Sequence, residues 1–89
     1  MAGAAIIAKI ITLTGTYQAA SATTNIASVR VTNEGAATNY MLSDDGQTDV
    51  PIKATGQWDF HGVDLANLQF KGTVGQIITI IGMEGQWGR

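Results

Sequence analysis

The chain has 89 residues, 45% apolar and 13% charged, with a net charge of −2, eleven glycines, one proline and no cysteine. That bounds it to one small domain with a thin core, burying only about 60–65% of the surface its unfolded chain exposes. It also excludes a disulfide framework and thiolate metal ligands. The five basic residues, Lys9, Arg30, Lys53, Lys71 and Arg89, are scattered, so no basic stripe exists for a phosphate backbone and no nucleic-acid partner is expected.

The apolar runs at Ala4 to Ala8 and Ile77 to Ile81 fall far short of the ~20 residues of a membrane helix. Met1 to Ala8 lacks a positive leader and is too short for a signal peptide, so the chain reads as an untargeted, complete small protein. Ten isoleucines, five valines and eleven threonines give it the composition of a β protein.

In chain order, the first predicted strand spans Ala5 to Leu13. It carries Ile6, Ile7, Ile10, Ile11 and Leu13 and is apolar on both faces. Ala27 to Thr32 alternates cleanly, with Ala27, Val29 and Val31 directed inward, and Asn33-Glu34-Gly35 turns the chain. Ala36 to Leu42 forms a strand entering the Asp44-Asp45-Gly46 turn, and Pro51 places the short strand Val50 to Lys53 at a sheet edge.

After the Thr55-Gly56 turn, Trp58 and Phe60 alternate with Gln57, Asp59 and His61, which buries Trp58 and ends the strand at Gly62. Val63 to Leu68 has room for one helical turn at most. Leu68 and Phe70 mark another half-buried strand before Gly72, and Gln76 to Ile81 is again apolar on both faces, up to a turn at Gly82. Turns recurring every 8 to 12 residues, roughly, predict an all-β fold, a small antiparallel sandwich of seven or eight short strands. One domain spans 1–89, with a short apolar N-terminal segment (1–8) and a glycine-rich C-terminal tail (82–89).

Two terminal strands greasy on both sides predict contact with another chain, because contiguous exposed apolar surface marks interaction sites. The expected contact residues are Ile6, Ile7, Ile10, Ile77 and Trp87. Chemistry is sparsely signalled. His61 is the only histidine and is read as a surface residue, so no catalytic site, metal site or cofactor is expected. Asp44, Asp45 and Asp49 lack the ligand spacing of a calcium loop, and Gly82, Gly85 and Gly88 precede no helix that could bind phosphate. Tyr17, Tyr40, Trp58 and Trp87 are core or interface aromatics, with sugar stacking as the alternative.

From Ala27 to Gly82, about three fifths of the chain, the order of elements resembles a class of small phage virion proteins. The residues that carry it are Ala27-Ser28-Val29-Arg30-Val31-Thr32, Asn33-Glu34-Gly35, Val50-Pro51-Ile52, Thr55-Gly56-Gln57, Val63-Asp64-Leu65-Ala66-Asn67-Leu68 and Gly72-Thr73-Val74-Gly75-Gln76-Ile77-Ile78. The chain departs from the class at Ala54-Thr55, where a proline before the glycine is more usual, and at its glycine-rich end. The resemblance implies a jelly-roll-like sandwich acting as a capsid decoration or cement subunit. It would assemble with itself as a homotrimer and with the major capsid protein on the capsid surface, after a stay in the host cytoplasm during assembly. Alternatives are a neck, tail, baseplate or fibre-knob component, or a carbohydrate-binding module for host attachment.

Overall fold

The computed structural model describes residues 6–43 and 46–85. Eight strands follow one another: β1 (Ile6–Thr12), β2 (Gln18–Ala19), β3 (Ile26–Asn33), β4 (Asn39–Leu42), β5 (Asp49–Ile52), β6 (Gln57–Asp64), β7 (Gln69–Lys71) and β8 (Ile77–Glu84). A single 3₁₀ turn, Leu65–Asn67, separates β6 from β7. Among the described residues no helix is long and apolar enough to cross a membrane.

The pairing has the form of one long antiparallel ribbon: β1 with β8, β2 with β7, β3 with β6 and β4 with β5. Rolling that ribbon brings β8 beside β3 and β7 beside β4. The result is two four-stranded sheets, β1-β8-β3-β6 and β2-β7-β4-β5, an eight-stranded jelly roll. Their inner faces enclose the core. Ile7, Ile11, Leu13, Val29, Val31, Ile78 and Ile80 face Ile52, Leu65, Leu68 and Phe70.

Several boundaries differ from the sequence reading for identifiable reasons. Strand β2 is only two residues, Gln18 and Ala19, and offers no alternation to detect. The expected first strand, Ala5 to Leu13, is β1 from Ile6 to Thr12, so Ile6 to Ala8 of the apolar N-terminal segment (1–8) are part of the sheet. Gly82 is no turn. It lies inside β8, where a Cβ would meet the Ser28 carbonyl oxygen at 2.0 Å, so only glycine lets β3 approach so closely. The supposed tail therefore continues the sheet through Glu84.

Gly62 does not end β6 either. With φ of +70° it sits at a bulge where His61 and Gly62 together oppose Ser28, and β6 runs on to Asp64. Asp64 then caps the 3₁₀ turn, its carboxylate accepting from the Ala66 and Asn25 N–H groups, each at 3.0 Å. Pro51 stands on β5, an edge strand, where its missing N–H breaks no ladder.

One end of the sandwich is locked by side-chain amides. Buried Asn33 donates to the carbonyls of Ala37, Ile52 and Lys53, and its own oxygen accepts from Gly35 N–H and from Asn39 Nδ2. Asn39, also buried, donates to Gln76 Oε1 at 3.1 Å and accepts from Thr73 N–H at 2.9 Å. Three connections distant in sequence, 34–38, 53–56 and 72–76, are thus tied to one knot. Gly35 and Gly72 make room for it, since a Cβ at either would lie 2.0 Å from Gln76 Oε1 or Asn39 Oδ1.

Candidate docking face

Register fixes which side chains share the outer face of the β1-β8-β3-β6 sheet, since directly paired residues point the same way. The rows read Ile6–Met83–Ser28, Ala8–Ile81–Arg30–Asp59 and Ile10–Thr79–Thr32–Gln57. Ile6 is 77% exposed, Ile10 69%, Ile81 54% and Met83 40%. Ala8 and Ile26 extend the same apolar strip. Such clustering, unlike single exposed apolar residues, marks a contact surface.

Beside the strip runs an open groove of about 410 Å³, walled by Ile81 and Met83 on one side and by Arg30, Asp59 and His61 on the other, with Ser28 at its floor. Its depth comes from residue size, a serine between long neighbours. The Ser28 hydroxyl also ties the sheet together, donating to the Gly85 carbonyl at 2.9 Å and accepting from Gly62 N–H at 3.1 Å. Arg30 binds Asp59 through two N–H···O bonds of 2.8 and 3.2 Å. That fork raises the Arg30 pKa, and it holds the Asp59 carboxyl below the ordinary carboxylate value.

The expected contact residues divide. Ile6 and Ile10 lie on the exposed strip, and Ile77 is half-buried on the same face, one row beyond Ile10. Ile7 is corrected: it points inward, 7% exposed, because strand alternation sends neighbouring isoleucines to opposite faces. Trp87 lies outside the described residues, as do Asp44 and Asp45. Ile81, which also lies on the exposed strip, was not among the expected contact residues. The signal was available in the period-two spacing Ile77, Thr79, Ile81, Met83, once Gly82 is recognised as strand.

Trp58 also needs correction, being 48% exposed. It pairs directly with fully buried Val31 and so points to the inner side, but β6 is an edge strand, where the opposing sheet does not cover it. Asp59 and His61 project to the other side of the same strand, so the three do not converge.

The outer face of the β2-β7-β4-β5 sheet is built differently. Tyr17 Oη donates to Asp49 Oδ1 at 2.5 Å, while Lys71 Nζ lies 3.3 Å from Asp49 Oδ2 and 4.9 Å from the centre of the Tyr17 ring. Burial first, and then the Asp49 carboxylate, push the Tyr17 pKa up to about 12. Asp49 is held low by the Tyr17 hydroxyl, with Lys71 adding to it. Among the described residues, no three His, Cys, Asp or Glu side chains gather closely enough to hold a metal ion. In comparisons with known proteins, no family model, no curated protein and no solved structure matches the chain.

Proposed function

We propose that the chain is a structural virion protein, a capsid decoration subunit that docks through the outer face of its β1-β8-β3-β6 sheet. The observation that carries this reading is the contiguous strip Ile6, Ala8, Ile10, Ile81 and Met83 on one outer face of the jelly roll. Its partners in this reading are other copies of itself and the major capsid protein. The subunit works as a rivet. Apolar area hidden across a subunit boundary stabilises that boundary, less the cost of ordering the subunit, and the gain repeats at every site of a shell. A contact worth only about 1 kcal/mol per site is multiplied over many copies.

The test is to add purified protein to heads that lack it and image them by electron microscopy. Density at lattice positions on the shell is expected, and density confined to the neck, tail or a fibre tip would replace this reading with that location. Ile10→Asp, a surface change, should keep the fold and lose shell binding.

A second reading, attachment to host sugars, draws on the exposure of Trp58, an aromatic face available for stacking. Glycan-array binding that disappears in folded Trp58→Ala would favour it over the capsid role.

A further inference from the structure

We propose that the exposed face of the β1-β8-β3-β6 sheet binds a second copy of the same chain about a twofold axis running parallel to the strands over β8. This rests on the reading of that face as a docking surface, and it makes a second copy of this chain the occupant in free protein, which the shell displaces, in a pair rather than a trimer. The argument is one of relief. With β8 between β1 and β3, such an axis lays β1 of each copy over β3 of the other.

Row by row, Ile6 then meets Ser28 of the second copy, Ala8 meets Arg30 and Ile10 meets Thr32, while Ile81 and Met83 meet their own counterparts. Away from the axis, each row matches a large side chain of one copy with a smaller one of the other. Ile6 enters the groove of about 410 Å³ whose floor is Ser28, and the small Ala8 leaves room for the guanidinium held flat against Asp59. Because Arg30 and Asp59 neutralise each other within one copy, closing the interface brings no unpaired charge of theirs against an apolar neighbour.

Other arrangements fit less well. An axis perpendicular to the strands sets the β1 ridge on the β1 ridge and leaves both grooves empty. A threefold ring needs a different apolar surface on the neighbour, and the other large exposed apolar side chains among the described residues, Trp58 and Val74, stand apart on an edge strand and a loop tip. Ile26 continues the strip itself.

With the axis over β8, the strands β1, β8 and β3 overlap between the copies and β6 overhangs, so three strands about 4.8 Å apart and seven residues at about 3.3 Å give a footprint of roughly 330 Å² per copy. Two such footprints total roughly 670 Å², below the ~1,000 Å² of stable interfaces, so the pair is a weak, transient one.

The test exchanges one row. By sedimentation equilibrium, the wild type should show a reversible monomer–dimer equilibrium below ~500 µM. Ile10→Thr and Thr32→Ile should each weaken it about tenfold, because each contact occurs twice, and the double variant should recover to within about threefold of wild type. The chain has no cysteine, so Ile81→Cys with a short bis-maleimide should give a covalent dimer across the axis, and Val74→Cys should not.

A wild-type trimer, or no recovery in the double variant, overturns the twofold. A wild type that stays monomeric at ~500 µM while Ile10→Asp still abolishes shell binding overturns the dimer and leaves the docking reading standing. If it is monomeric and Ile10→Asp binds shells normally, both fall.

Discussion

The two outer faces of this jelly roll finish the same architecture in opposite ways. On the β2-β7-β4-β5 sheet, Tyr17, Lys71 and Asp49 form a clasp in which the hydroxyl and the ammonium both meet the carboxylate and the ammonium lies over the tyrosine ring. On the β1-β8-β3-β6 sheet, the bidentate Arg30–Asp59 pair occupies one side and a strip of isoleucine and methionine is left bare. A chain this small has little apolar surface to spare, so leaving four large side chains in water is costly unless another surface covers them. If the proposed docking reading holds, the clasp serves folding and the strip assembly, so the two should separate under mutation.

The largest effect is expected where neither face is touched directly. Asn39→Leu strands the Thr73 N–H and removes the donor to Asn33 Oδ1 and Gln76 Oε1 in a buried setting. It should cost about 2–4 kcal/mol of stability by urea denaturation and loosen both faces together. Next comes the strip: Ile81→Asp should weaken association by more than tenfold in a sedimentation series, while its urea midpoint stays within about 0.5 kcal/mol of wild type.

The clasp should respond the other way. Tyr17→Phe removes the bond to Asp49 and should lose about 1 kcal/mol of stability with association unchanged. The pH dependence sharpens this. Tyr17 has its pKa raised from 10.0 to about 12, so its contribution is complete below pH 10 and is lost as pH rises through about 12. Asp49 and Asp59 are held low, so theirs is complete above about pH 4 and is lost as pH falls through their depressed folded values. Tyr17→Phe should flatten the alkaline limb of a stability–pH profile and leave the Asp59 part of the acid limb in place.

The smallest effect is a gain. Thr55 holds φ at +60°, a conformation that suits glycine and strains a β-branched residue, so Thr55→Gly should raise stability by about 0.5–1 kcal/mol in thermal melts without changing association.

How far the sequence carried depended on where each signal lay along the chain. The all-β sandwich was legible because Val29 and Val31 alternate with Ser28 and Arg30, and because glycine turns recur at short intervals. The doubled apolarity of β1 and β8 located the bare face, yet it could not say whether Ile6 or Ile7 lies outward, since a one-residue change of register reverses both.

Trp58 was misplaced for a related reason. Alternation tells which side of a sheet a residue faces, not whether the opposite sheet reaches that far. Gly82 read as a turn because glycine marks turns and close strand approaches alike. The amide knot was invisible because Asn33, Asn39 and Gln76 meet only after the ribbon has rolled.

The most direct test of the central claim is the maleimide labelling rate of a single cysteine on each outer face, followed as protein concentration rises. Ile10→Cys should become steadily protected towards ~500 µM, while Pro51→Cys, exposed on the clasped sheet, labels at a constant rate. Constant labelling at position 10, or protection at position 51 instead, would contradict the assignment of the bare isoleucine strip as the surface that another chain covers.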